Sequence, residues 1–384
     1  MKKLISTAIA LAMLLSLAAC GSDDGGNAAE ADVTTAATEA VKDETTTEET
    51  TVPEETTTEE TTTTEATELA AEIVEPAAED FEYNYDAALK GAVITKYNGE
   101  AEAIRIPTEL DGDLVVQFIL DNENIAHVEI PDGFTSIGEK AFNDCSNLQS
   151  VVIPNTVTEI GDYAFESCGS LESIVIPDSV TKIGESAFSD CSSLESIIVP
   201  NNVTEIGESA FEGCDNLKNI MLSEKITEIV NKLFNECTML EAIEIPSNIT
   251  KIGDAAFKKC KSLESVTIPD GVKTIGQAAF SGCTKLKEIT IPSSVAYIAS
   301  EAFWECKGLK EVKMPDGVIL GGRMFVECTD LRSLILPDNV GRVNYTDGFI
   351  QDCDGLTVTY KGNEYNYTNF SDLYDAIPIK EYTE

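Results

Sequence analysis

Ten cysteines recur along the chain at nearly constant spacing: Cys145, Cys168, Cys191, Cys214, Cys237, Cys260, Cys283, Cys306, Cys328 and Cys353. The first seven intervals are 23 residues, and the last two are 22 and 25. Thiols can pair as disulfides, hold a metal, attack a substrate, or sit in a core as small apolar groups. Metal sites normally bring Cys or His together at short spacing, as in Cys-x-x-Cys, and no such pair occurs. Units stacked at the parallel-strand spacing of about 4.8 Å would bring neighbouring cysteines within disulfide range, yet every thiol would point the same way into the interior. The expectation is a column of buried core cysteines.

Other chemistry has little to work with. The single histidine, His127, falls at a position equivalent to Ser150 and Ser173, facing solvent, with no nucleophile motif nearby. Carboxylate pairs of glycosidase type arise by chance among 68 acidic residues. There is no Gly-rich phosphate loop and no dinucleotide fingerprint. Asp111-Gly112-Asp113 and Asp121-Asn122 lack the spacing of a calcium loop. A non-enzymatic protein with no cofactor and no metal is expected.

The elements that carry the cysteines follow from the same period. A phenylalanine precedes nearly every cysteine by three positions, from Phe142 to Phe325. Such a period means one supersecondary unit stacked repeatedly, and each unit needs its neighbours to cover its apolar side. In the unit over residues 171–191, Ile174 and Ile176 alternate with Val175 as in a short strand. Pro177 ends the strand, Asp178 and Ser179 suit a turn, and Val180 and Ile183 point inward. Gly184 would allow a tight or left-handed bend, and Ala187, Phe188 and Cys191 suit one short helical turn. The fold class is therefore an α/β repeat solenoid of about ten units, mostly short parallel strands with short helical turns and terminal caps. By the strand spacing it would be a rod of roughly 50 Å.

The pattern Leu-x-x-Ile-x-Ile-Pro-x-x-Val-x-x-Ile-Gly-x-x-Ala-Phe-x-x-Cys resembles the BspA-type leucine-rich repeat of bacterial surface proteins, over about residues 104–358. The resemblance implies a curved solenoid with a parallel sheet lining one face, and members that contact other proteins or cells. The commoner leucine-rich pattern carries an Asn or Cys where this chain has Thr156, Ser179 and Asn202, so no asparagine ladder is expected.

Outside the repeats, residues 1–19 read as a signal peptide, with Lys2 and Lys3 before an apolar run. Leu17-Ala18-Ala19-Cys20 resembles the bacterial lipobox, which implies lipidation of Cys20. Residues 20–80 form a Thr/Glu-rich segment expected to be a disordered, lipid-anchored linker, spanning about 40 Å on average. An N-terminal cap is expected over residues 81–103, the solenoid over 104–339, and an irregular last repeat with a C-terminal cap over 340–384. Within the first cap, residues 92–95 and 103–106 read as a hairpin around Asn98-Gly99. Residues 357–360 and 365–367 read as a second hairpin, followed by a short helix over 372–377. The formal net charge of -42 argues against nucleic acid and against anionic lipid as partners. Membrane contact is expected through the lipid anchor only.

The outward strand positions offer an interaction face. One column runs Glu129, Val152, Val175, Ile198, Met221, Glu244, Thr267, Thr290, Lys313 and Ile335, so four apolar residues in succession form a stripe. A second column is acidic early and basic late, ending in Lys287, Lys310 and Arg332. Trp304 stands where other units carry polar residues, either as an exposed anchor or packed on a neighbouring turn. Few aromatics line these columns, which favours a protein over a glycan as ligand. The unit over residues 221–240 departs from the pattern, with Ser223 for Pro, Val230 for Gly and Leu233 for Ala, so a local bend is expected there. The function these features support is a monomeric surface module that binds a protein or cell-surface ligand. The alternatives are an envelope scaffold without external ligand and a solute-binding lipoprotein, which would need a cleft between lobes.

Overall fold

The computed structural model describes residues 73–343 and 348–366, the last two residues of the first segment by their backbone alone. The expected signal peptide, Cys20, nearly all of the linker and the helix over 372–377 lie outside the described residues. The described chain winds as a β-solenoid of about 11 turns, with repeats about 23 residues apart.

Coils bond to their neighbours on up to three sides. On the front, three-residue strands lie in parallel register: Ala103–Arg105, His127–Glu129 and Ser150–Val152, then Ser196–Ile198 with Asn219–Met221, then a longer ladder from Ser265–Thr267 onward. Their middle residues, such as Val151, Ile197 and Ile220, are buried while their neighbours face out, as the strand period requires. On the flank, two-residue strands repeat the same register, as in Lys182–Ile183 between Glu159–Ile160 and Glu205–Ile206. The third side is a run of turns carrying the phenylalanine and cysteine. Here Ser186, Phe188 and Asp190 donate their amides to the carbonyls of Glu208, Ala210 and Glu212 in the next coil, at 2.9, 2.8 and 2.7 Å.

That third side corrects two expectations. The segment is not a helical turn, because Ser186 and Asp190 hold left-handed backbone (φ 49° and 58°), which breaks any helix and aims alternate amides along the stack. Gly184 is not left-handed; it is needed for close approach. A Cβ there would lie 2.5 Å from the amide nitrogen of Asp162 and 2.6 Å from the carbonyl carbon of Gly161 in the preceding coil. The front strand expected over residues 174–176 also lacks ladder bonds, although Ile174 and Ile176 are buried and Val175 is exposed as the alternation demands.

The interior is one continuous cluster of columns. Phe142, Phe165, Phe188, Phe211, Phe234, Phe257, Phe280, Phe303 and Phe325 stack face to face, with centroids 4.9–6.0 Å apart and planes within 23° of parallel. Phe118 and Phe349 close the column at either end with edge-on contacts.

The caps are partly as expected. At the C-terminal end Thr357–Tyr360 and Asn363–Asn366 form the hairpin, with Tyr360 opposite Asn363. At the N-terminal end the hairpin has different partners: Gly91–Tyr97 pairs with Phe81–Asp86, and Ala103–Arg105 instead opens the parallel front sheet. Phe81 and Tyr97 pack at 5.2 Å, so burying the aromatic end of that first strand outweighs the Asn98-Gly99 turn signal. The folded unit also begins before residue 81. Val74 accepts from Arg105 and donates to Ala103, covering the open edge of the front sheet.

Candidate interaction face

The four apolar residues singled out in the sequence do form one column on the front. Strand register sets Val152 beside Glu129 and Met221 beside Ile198. Val152, Val175 and Met221 are 58%, 54% and 45% exposed, and Ile198 is half-buried. Side chains of this size standing in water lose roughly 25 cal/mol of favourable burial per Å². Val152, Ile198 and Met221 stand on front strands, whereas the ladder is interrupted at Val175, between Ser150–Val152 and Ser196–Ile198.

The charged column beside it is paired in part. Lys218 reaches Glu195 at 3.1 Å, and Lys287 reaches Glu264 at 2.8 Å. The Lys287 ammonium holds the Glu264 carboxyl below its ordinary value, but both groups are exposed and the pair adds little stability. Arg332 folds back and donates to the carbonyls of Thr329 and Leu331. Trp304 is half-buried under the Arg323 guanidinium, 4.3 Å from its ring centroid, so it packs on the next coil and is not an exposed anchor. In the sequence as a whole, residues 141–240 hold 16 acidic and 4 basic side chains, and residues 241–340 hold 13 and 12.

One feature had no counterpart in the columns. An open groove of about 770 Å³ lies between the coils of Lys287 and Lys310, with Lys313 and Asp316 on its rim. It forms because Glu288–Thr290 and Glu311–Lys313 pair only at Glu288 with Glu311, so the strands part beyond that point. The change of cysteine interval from 23 to 22 just after this coil is the one trace of it in the sequence.

His127 stands beside Ser150 as expected, its Nδ1 2.8 Å from the Ser150 hydroxyl, half-buried on the front sheet. The ten column cysteines are buried and unpaired. They are more than apolar filling: from Cys168 to Cys328 each thiol donates to the carbonyl of the phenylalanine in the preceding coil, at 3.1–3.2 Å. Burial raises these thiols well above the ordinary range, and Cys145 at the first coil is raised to about 11. The role the commoner repeat gives to asparagine is divided here. Thr156 and Ser294 hydroxyls and the Asn202 and Asn248 amides bond to carbonyls of the preceding coil, at 2.7–2.8 Å. Among the described residues, no group of three or more His, Cys, Asp or Glu is placed to hold a metal ion, and no helix is long and apolar enough to cross a membrane.

Stacked coils with a leucine at a fixed place, a parallel front sheet and an uninterrupted interior column define a leucine-rich repeat solenoid. The BspA-type leucine-rich repeat region matches residues 116–241 and 227–357, in six copies, and the chain belongs to that family. Among solved structures it is similar to the pneumococcal vaccine antigen PcpA, at 21% identity over 75% of this chain and 88% of that one, with a TM-score of 0.51. It is also similar to a leucine-rich cell surface protein from Faecalibacterium prausnitzii A2-165, at 24% identity over 76% and 95% of the two chains (TM-score 0.47). A third similar structure is the T. pallidum leucine-rich repeat protein, at 30% identity over 56% and 92% (TM-score 0.43). No curated protein matches the chain.

Proposed function

We propose that this chain is a non-catalytic, protein-binding or adhesion module displayed at a bacterial cell surface, monomeric and held by a lipid on Cys20 through the Thr/Glu-rich linker. Membership of the BspA-type repeat family and the lipobox-like Leu17-Ala18-Ala19-Cys20 support the location. The observation that carries the binding role is the exposure of Val152, Val175 and Met221 at the equivalent outward position of their coils, Val152 and Met221 on front strands. Such residues add nothing to the core, and a partner that covers them gains the burial they lack. Its rim is acidic, which orients a partner rather than gripping it. Lys287, Lys310 and Arg332 belong to the same front but are secondary, since two of them are already engaged.

The test is a capture experiment from envelope and host-matrix extracts with the full chain as bait. Val152→Glu, Val175→Glu and Met221→Glu together should abolish capture of partners while the melting temperature stays within a few degrees of wild type. Unchanged capture removes this face as the site. Absence of any partner for the wild-type chain favours the envelope scaffold.

A further inference from the structure

The apolar column of the front is bounded in length and edged by charge. At its position the coil before Val152 carries Glu129, which Arg105 engages, and the coil after Met221 carries Glu244. Backbone bonds hold the later coils in line just ahead of the column: Glu195 donates to Glu172, Lys218 to Glu195 and Glu241 to Lys218, at 3.2, 3.0 and 3.4 Å. Val175, Ile198, Met221 and Glu244 follow these four residues at one constant interval. Small side chains such as Ser173 and Ser196 separate the two columns. Glu172 and Glu241 lie to one side of the apolar column, and Asp178 and Glu224 lie beyond the proline position on the other. All four are exposed and, like Glu244, form no ion pair among the described residues. The cations beside the column are already engaged: Lys218 lies 3.1 Å from Glu195, and Lys225 donates to the Asn202 Oδ1 at 2.9 Å.

We propose that this face receives a cationic amphipathic α-helix on the surface of a folded partner protein. The helix lies along the stack, its apolar stripe on Val152, Val175, Ile198 and Met221 and its Lys or Arg side chains over the carboxylates on both sides. This inference rests on the binding role given to the face above and adds the chemistry of the partner. Spacing selects a helix. Parallel strands lie about 4.8 Å apart, and the rings in the turns leading into these coils, Phe142 to Phe211, step by 4.9, 5.1 and 5.6 Å. A helix returns to one face about every 5.4 Å, so residues at i, i+3, i+7 and i+10 span about 15 Å and meet the column. An extended segment laid the same way repeats about every 6.7 Å and falls out of step. Charge selects the sign, since the unpaired groups around the column are carboxylates. Energetics selects a helix that is already formed. Covering four partly exposed side chains returns less free energy than ordering about ten residues costs, so the partner's own fold must hold it.

The test uses the full chain and side-chain-stapled peptides of about 14 residues, which carry their helix as a folded partner would. The first has leucine at i, i+3, i+7 and i+10 and lysine at the other positions. A second replaces lysine by glutamate, a third replaces leucine by serine, and a fourth is an unstapled strand former that alternates leucine and lysine. By fluorescence anisotropy at low salt the first should bind one per chain, at least about tenfold tighter than each of the others, and should weaken as salt rises. Val152→Glu, Val175→Glu and Met221→Glu together should weaken it at least about tenfold, although they add negative charge. Glu172→Gln, Asp178→Asn, Glu224→Gln and Glu241→Gln together should weaken it about threefold to tenfold, with the melting temperature within a few degrees of wild type. No binding of the first peptide, equal binding of any of the other three, or indifference to the apolar triple variant would overturn the proposal. If capture of partners from extracts is nevertheless lost in that triple variant, the binding face stands and only the helix falls. If capture is unchanged as well, both fall.

Discussion

Two neighbouring stretches of the stack differ in one respect that matters. Between residues 157 and 211 the coils bond on flank and turn side alike: Gly207 donates to Ile183 at 2.8 Å, Phe188 donates to Ala210 at 2.8 Å, and Phe165 and Phe188 stack at 5.1 Å. At the next coil the flank ladder is broken, so that Glu205–Ile206 and Glu228–Ile229 belong to separate sheets. The turn-side bond from Phe211 to Leu233 lengthens to 3.2 Å, and Phe211 and Phe234 stand at 6.0 Å, the widest spacing among the stacked pairs. Two substitutions within the unit account for this seam, and a third partly offsets it. Val230 brings a branched side chain to the place where a Cβ on Gly207 would lie 2.3 Å from the amide nitrogen of Glu185. Ala299 at the same place keeps its ladder bond at 2.9 Å, so one methyl is absorbed and a branched group is not. Leu233 fills the buried column otherwise held by Ala187, Ala210 and Ala256 and pushes the coils apart. Ser223, in place of proline, is fully buried and restores one link by donating to the Val203 carbonyl at 2.6 Å. The thiol bond from Cys237 to Phe211 holds at 3.1 Å, so the seam is a loosening of two sides and not a gap in the core.

Four measurements would break or sharpen this comparison. Phe188→Ala should cost about 3–5 kcal/mol by denaturant unfolding, because a buried ring stacked on both faces cannot be replaced by collapse. Phe234→Ala should cost less, since its coil already stands off from one neighbour; equal costs would mean the seam has no energetic content. Gly207→Val should reproduce the seam one coil earlier, at about 1–3 kcal/mol from overpacking, with faster amide exchange at Thr204 and residue 207. Val230→Gly should do the reverse. Its net effect on stability should stay within about 1 kcal/mol, since glycine's added entropy offsets the closed ladder, but amide protection at residues 227–230 should rise. The smallest effect concerns pH. Asp190 is raised above its ordinary value by burial and by Glu212, Asp215 and Glu236, and Glu166 by burial and by Asp144 and Asp190. A carboxyl raised in the folded state adds stability below its unfolded pKa and loses it as pH rises through the folded value. The melting temperature should therefore climb as pH falls from neutrality toward the carboxylate range, and Asp190→Asn should flatten that slope.

The stack itself was legible because each column is one residue type at one interval: Phe, Cys and Leu aligned as their spacing required, and the exposed positions of Val152, Val175 and Met221 followed from strand alternation. What stayed hidden depends on relations between coils. Gly184 signals left-handed backbone when read alone, but its cause is the backbone of Asp162 one coil away. Of the left-handed residues, Asp190 is of a type that tolerates that backbone but Ser186 gives no warning, because the intercoil ladder imposes its conformation. Tyr97 drew its hairpin partner from the aromatic Phe81 side, which a local turn signal does not register. The groove at Lys287 and Lys310 arises from lost pairing between two strands whose residues are individually ordinary.

Among the described residues, the bonds between coils join each coil to the one before and the one after it, so the repeats are modular in a literal sense. Deleting 23 consecutive residues within the 157–211 stretch, or duplicating them, would rejoin like ends to like ends. The length of the molecule could thus change in steps of one ring and one thiol, while the caps and everything mounted on them stay as they are.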